Sequence, residues 1–172
     1  YVATAEEQNW MYILKARQLG ISTITAAYIT WMMLFHREKN VLVIATKFNT
    51  AANLVKKVKA IIRQTPEWLR IANVTIDNRA SFELSNGSQI KASSTSGDAG
   101  RSEALSLLVV DEASGVPEQI YEASGGSMSG PSATTLLLGN PVRSSGFFHS
   151  THTRLAKYWK TMTVSCLDSD RV

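Results

Sequence analysis

Apolar residues fall in two patterns along this chain. Short, nearly unbroken runs occupy Trp10 to Leu14, Val41 to Ala45, Leu105 to Val110 and Thr134 to Leu138. Runs of that length, rich in β-branched residues and leucine, predict parallel strands covered on both faces. Between them lie longer stretches with helical character. Thr23 to Phe35 is a run of helix formers. In a second helix Leu54, Val55, Val58, Ile61 and Ile62 share one face, with Asn49 or Thr50 placed to cap it and Pro66 to end it. Lys56, Lys57, Lys59 and Arg63 point elsewhere and predict a solvated face, a DNA contact being the alternative. Val74 to Ile76, Ser81 to Leu84 and Gln89 to Ala92 predict short strands, and Asn86-Gly87 between the last two is a hairpin signal. Pro117 to Ala123 predicts a short helix, Thr151 to Lys157 a helical turn, and Trp159 to Val164 a last strand. Ser93 to Gly100 and Ser124 to Ser132, small and polar, predict loops. Strands alternating with helices make this an α/β chain, with a mostly parallel central sheet flanked by helices and a β-hairpin insertion.

Composition narrows the class. The 172 residues, 44% hydrophobic and 19% charged, are ordinary for one soluble globular domain, 1–172. No stretch has the apolar length of a membrane-spanning helix, and no basic-then-apolar start predicts a signal peptide. The single cysteine, Cys166, cannot make an internal disulfide, which suits a reducing compartment. Three histidines with one cysteine show no zinc-ligand spacing. A net charge of +4 permits contact with a polyanion without requiring it. The chain opens on Tyr1 rather than methionine and reads as a fragment of something longer.

Four stretches carry chemistry. The first is Lys15-Ala16-Arg17-Gln18-Leu19-Gly20-Ile21-Ser22-Thr23, between the first strand and the first helix. Strand, short loop and helix are the context of a phosphate-binding loop, in which loop amides and the helix N-terminus form an anion site. Ser22 stands where such a loop places its Mg²⁺-ligating hydroxyl. The pattern departs from the standard one twice. Ile21 occupies the place of the lysine, and Lys15 that of the first glycine, so Lys15 is the nearest amine, with Arg17 beside it. The expectation is that Lys15 reaches the β- and γ-phosphates from the floor of the loop, and that a lysine introduced at Ile21 would substitute for it. An ordinary strand-to-helix turn would need only Gly20, to relieve backbone strain.

The second stretch is Val109-Val110-Asp111-Glu112. Two carboxylates ending a buried strand are costly unless they bind something. At the carboxyl edge of a parallel sheet they would face the phosphate loop. Asp111 is the candidate Mg²⁺ ligand, through water, and Glu112 the base that orients and deprotonates the attacking water. The third is Leu138-Gly139-Asn140-Pro141, where Asn140 would bond the γ-phosphate or its water; a plain Asn-Pro turn is the alternative. The fourth is Gly97-Asp98-Ala99-Gly100-Arg101-Ser102. Arg101 would project from it to complete a neighbouring subunit's site, or pair locally with Asp98 or Glu103.

Taken in order, the Arg-Gln-x-Gly loop, the Val109-Val110-Asp111-Glu112-Ala113 strand end, and Gly139-Asn140-Pro141 with Gly146-Phe147-Phe148 resemble the ATPase domain of the large terminase subunit of tailed bacteriophages. The resemblance covers nearly the whole chain. It implies a RecA-like P-loop NTPase of the additional-strand (ASCE) type, hydrolysing ATP with Mg²⁺ to drive double-stranded DNA into a procapsid. It implies a homo-oligomeric ring on the portal protein, a small terminase subunit as partner, no membrane, and a place in the host cytoplasm rather than in the mature virion. It assigns Lys15, Arg17 and Gln18 to a variant Walker A loop, within the nucleotide-binding segment Lys15 to Thr23. Asp111 and Glu112 become Walker B, Gly139-Asn140-Pro141 the coupling motif, and Arg101 the arginine acting in trans. Gln8 lies too near the loop to be the family's adenine-contacting glutamine. No aspartate-rich motif follows Thr163, so the family's nuclease domain is expected to be absent from this chain. Two rival readings stand beside this one. One is another RecA-like nucleic-acid motor such as a helicase. The other is a catalytically weak nucleotide- or DNA-binding module in which Ile21 marks a decayed site and the basic helix does the work.

Overall fold

The structure, a computed structural model, describes residues 10–16, 19–95, 104–125, 127–128 and 133–168. Arg17, Gln18 and Arg101 lie outside the described residues, as do Gln8 and parts of the two glycine- and serine-bearing loops.

Each of the four long apolar runs forms a strand of one sheet: β1 (Trp10–Lys15), β2 (Asn40–Ala45), β6 (Leu107–Asp111) and β7 (Thr134–Gly139). The remaining strands are β3 (Val74–Asp77), β4 (Ser81–Leu84), β5 (Gln89–Ser94) and β8 (Lys160–Val164). The order across the sheet is β3-β4-β5-β2-β6-β7-β1-β8. Pairing is parallel from β5 through β8, and only β3–β4 and β4–β5 are antiparallel. The expected parallel core and hairpin are both present, with β3 adding a third strand to the hairpin.

The period-2 alternation of a strand explains why both faces must be covered. Ile13, Val41, Val43, Leu107, Val109, Leu136 and Leu138 pack on one side, beneath α1 (Ile21–Phe35) and α2 (Phe48–Gln64). Tyr12, Leu42, Ile44, Leu108, Val110 and Leu137 pack on the other, with Phe148 and Tyr121. These two come from α4 (Phe147–His152) and α3 (Glu118–Gly125).

The hairpin is tied to the far end of α1. Asn86 in its turn donates from Nδ2 to the carbonyls of Met33 (2.8 Å) and His36 (3.2 Å), and the Ser88 hydroxyl donates to the His36 carbonyl at 2.9 Å. Carbonyls left open at a helix C-terminus are thereby satisfied. Gly87, at φ 82°, supplies the left-handed turn that brings Asn86 there.

Two expectations fail in α2. The helix begins at Phe48 with Lys47 at its N-cap and no side-chain cap; Asn49 and Thr50 already lie in its first turn, and the Asn49 side-chain oxygen accepts from Arg79 at 2.6 Å. Lys59 is not solvated. Its stem is buried, its ammonium lies 2.9 Å from Asp77 and 5.5 Å from the Phe82 ring centroid, and it also donates to the Asn78 carbonyl. Lys59 belongs to the buried side of the helix with Val55 and Ile62, where it reaches Asp77 of β3 and the Phe82 ring of β4. The helix thereby grips the sheet's antiparallel edge through a cation that the binary pattern assigns to water.

The Lys59 hydrogen bond, reinforced by Arg63, holds the Asp77 carboxyl below the usual carboxylate range. A depressed folded-state pKa adds stability above the unfolded value, and that stability is lost as pH falls through the folded value. Denaturant midpoints compared between pH 6 and pH 3 should therefore fall more steeply for the native chain than for Asp77→Asn. The variant should already be the weaker of the two at pH 6.

Candidate active site at the carboxyl edge of the sheet

Four neighbouring strands, β2, β6, β7 and β1, end level with one another. Ala45 pairs with Asp111, Val110 with Leu137, and Leu14 with Gly139. The residues at or just past those ends therefore converge. They line a cleft of about 510 Å³ with Lys15, Thr46, Asp111, Glu112, Ser114, Gly115, Gly139, Asn140, Val142 and Arg143 on its walls. An open parallel sheet binds its ligands at this edge.

Lys15 closes β1. Its ammonium lies 3.4 Å from Ser22 Oγ and 3.5 Å from Asp111 Oδ1. Those distances are at the outer limit of hydrogen bonding, so the contact is mainly Coulombic. Asp111 is 7% exposed, and a carboxylate that deep needs a cation beside it. Ser22 reaches the same point from the first turn of α1. That turn starts at Gly20, whose φ of 76° is open to glycine and strained for other residues. The Thr23 and Ile24 N–H groups donate to the Gly20 carbonyl at 2.8 and 3.1 Å, so the Ile21 and Ser22 N–H groups stand ahead of the helix's first bonds, the place of an anion site.

Ile21 is 9% exposed and belongs to the core beneath α1. Its side chain seats the helix on the sheet, so a lysine there would bury its stem and charge in apolar surroundings. The expected interchange of Lys15 with a lysine at position 21 is therefore withdrawn.

Glu112 sits at φ 55°, a left-handed conformation that costs a non-glycine residue about 1–2 kcal/mol. Two hydrogen bonds hold it: its N–H donates to Asp111 Oδ1 at 2.9 Å, and the Thr46 hydroxyl donates to its Oε2 at 2.6 Å. The short 3-10 turn that follows, Ala113–Gly115, is fastened by the Tyr121 hydroxyl, which donates to the Ala113 carbonyl at 2.8 Å. Burial raises the Tyr121 phenol above its ordinary pKa, keeping it a donor. A Cβ on Gly115 would stand 2.8 Å from Thr46 Cγ2, so only glycine lets this turn close against β2.

An ammonium resting between a hydroxyl and a carboxylate marks a place built for a cation. One hydroxyl and one carboxylate also suit Mg²⁺, which keeps waters and takes phosphate oxygens as its other ligands. Among the described residues there is no cluster of three His, Cys, Asp or Glu side chains that would suit a fully protein-ligated metal.

Of the expected site residues, Lys15, Ser22, Asp111, Glu112 and Asn140 come together, with Gly20 framing the loop. Thr46 and Arg143 were missed. Nothing local to Thr46 distinguishes it; its importance follows from β2 lying next to β6. Arg143 had a weak signal, a lone cation in the polar loop after Gly139-Asn140-Pro141.

The comparisons with known proteins agree on one family. The model of the terminase large subunit, ATPase domain, matches residues 3–161. A probable terminase large subunit of Enterobacteria phage P7 is 25% identical over 166 residues, covering 90% of this chain and 33% of that protein. This chain thus spans about a third of that relative's length. The large terminase ATPase domain of Thermus phage P74-26 superposes with a TM-score of 0.74 at 14% identity, over 93% of this chain and 76% of that one. The large terminase of the thermophilic bacteriophage D6E, solved in complex with ATP-gamma-S, gives 0.76 at 12% identity, over 99% and 43%. At such identities the two structures speak for the fold alone.

Gly139 carries the tightest constraint near the cleft. A Cβ there would sit 2.6 Å from the Phe148 ring, which is itself packed in the core. Gly139→Ala should therefore cost about 1–3 kcal/mol through overpacking. Adding Phe148→Leu should recover part of that loss, read as the non-additivity of the two unfolding free energies.

Proposed function

The chain belongs to the ATPase domain family of the terminase large subunit, and on that basis we infer that its cleft binds MgATP and hydrolyses it to move double-stranded DNA into a viral procapsid. The observation that carries this reading is the Lys15 ammonium, set between Ser22 and Asp111 beside the N-terminus of α1. The D6E relative's complex with ATP-gamma-S supports a nucleotide as occupant.

In this reading the phosphates lie against the first turn of α1, and Lys15 supplies the fixed positive charge that Ile21 does not. Water-excluded phosphates need such charge held in place before the reaction. Lys15 exchanges its contact with Asp111 for one with the β- and γ-phosphates. Ser22 and Asp111 are the residues that would hold Mg²⁺, whose charge, once bound, offsets that of the phosphates during transfer. Glu112 orients the attacking water and takes its proton. The Thr46 hydroxyl orients that carboxylate through Oε2, which leaves Oε1 to take the proton. Asn140 bonds the γ-phosphate or the water from the end of β7. Arg17 and Gln18 complete the loop, and Arg101 of a neighbouring copy adds positive charge at the transition state.

The larger setting belongs to the same proposal. The chain acts as the ATP-driven motor domain of the packaging machine. It works in a ring on the portal protein, with a small terminase subunit and DNA as partners, in the host cytoplasm and not in the finished virion. Among the described residues no helix is long and apolar enough to cross a membrane.

Two experiments test the site. Glu112→Gln keeps the shape and removes the base, so ATP binding should persist while turnover falls by roughly two to four orders of magnitude. Lys15→Ala should abolish hydrolysis, and Ile21→Lys added to it should leave the enzyme inactive and less stable. Steady-state phosphate release with thermal unfolding reads all three, and turnover within a few-fold of native for Glu112→Gln would remove it as the base. For Arg101, mixing Arg101→Ala with Glu112→Gln protein in an assembled ring should restore part of the activity that each lacks. An assembled mixture that stays inactive places Arg101 in a local role.

A further inference from the structure

Arg143 lines the same cleft as Lys15, Asp111 and Glu112, yet its guanidinium takes part in none of the ion pairs among the described residues. An arginine beside two carboxylates would ordinarily pair with one of them. Here Asp111 pairs with Lys15, and the Thr46 hydroxyl holds Oε2 of Glu112. Among the described residues the guanidinium has no ion-pair partner, and it is exposed on the cleft wall.

Its loop is short and tied at both ends. It leaves β7 at Gly139, which the Phe148 ring presses from one side. The Val142 N–H donates back to the Asn140 carbonyl at 2.9 Å, making a tight turn around Pro141. The loop ends at Gly146, whose φ of 96° turns the chain into α4, and α4 carries the same Phe148. Phe148 thus links the two feet of the arch on which Arg143 stands.

The position of that arch in the sheet indicates its ligand. β7 lies between β6, which ends in Asp111 and Glu112, and β1, which ends in Lys15. The loop that carries Arg143 leaves the sheet between the water-activating carboxylate and the phosphate-binding amine, the place of the last phosphate in a bound triphosphate. The cleft's described cations are Lys15 and Arg143, against the carboxylates Asp111 and Glu112. Arg143 brings the described lining from one net negative charge to neutral before any Mg²⁺ is bound. The planar guanidinium fork also matches two phosphate oxygens at once.

We propose that Arg143 contacts the γ-phosphate within its own subunit and makes the cleft prefer nucleoside triphosphate over diphosphate. The proposal rests on the nucleotide reading of the cleft and adds to it a residue and a specificity. Equilibrium binding of ADP and of the non-hydrolysable AMP-PNP, each with Mg²⁺, is measured on the full-length protein and on its Arg143→Ala and Arg143→Lys variants. Protein is kept dilute enough to be monomeric. Arg143→Ala should weaken AMP-PNP by about 10- to 100-fold and ADP by no more than about twofold, the scale of a charge-assisted hydrogen bond. Arg143→Lys should recover part of the loss, and the thermal unfolding of both variants should match the native protein. Equal weakening of both nucleotides, or none, overturns the role of Arg143 and leaves the cleft's function standing. Failure of the native protein to bind either nucleotide overturns the reading of the cleft and the role of Arg143 together.

Discussion

A buried carboxylate without a cation is among the least tolerable features a protein interior can hold, and Asp111 is the one this structure is arranged around. It ends a strand buried on both faces, and little of its charge is met by water. The Lys15 ammonium answers it, and that single approach fixes the order of three elements. β1 must lie within a lysine's reach of β6, α1 must begin at the same point to bring Ser22, and the loop between them must be short. That charge balance is the one the proposed MgATP would draw on. The same groups can re-pair around a phosphate without unfolding anything.

The two-sided core gives that arrangement its stiffness. Alternate residues of β1, β2, β6 and β7 are committed to opposite faces, so none of these strands can slip by one residue without exchanging its core contacts for the wrong side. Their ends stay level, and the side chains beyond them stay gathered. Close approaches at Gly115 and Gly139 then bring loop against strand where a methyl group would hold them apart. The strained backbone at Glu112 is retained because its neighbours on both sides bond to it.

Much of this was legible in the order of residues. Continuous apolar runs announced the parallel strands, Asn86-Gly87 announced the hairpin, and acidic residues directly after a buried run marked the cleft. The family resemblance, drawn from those motifs, is borne out by the family match over residues 3–161. What escaped depended on neighbours distant in the chain. Thr46 bonds Glu112 because β2 pairs with β6, 66 positions apart, and local sequence does not state strand order. Lys59 reads as a surface residue until β3 supplies Asp77 beside it. Asn49 looks like a helix cap, but the helix starts before it, and its side-chain oxygen accepts from Arg79. Ile21 looked like a lost lysine; the core beneath α1 makes it a seat for the helix instead.

The cap that Asn86 places on α1 has a mechanical consequence. At about 1.5 Å of rise per residue, this 15-residue helix is a rod roughly 22 Å long. One end opens at the phosphate loop, and the other is clamped by the hairpin turn through the carbonyls of Met33 and His36. A rod held at its far end by hydrogen bonds and along its length by a close-packed core has little freedom to bend. Any displacement imposed at Gly20 therefore arrives at the antiparallel edge of the sheet as displacement.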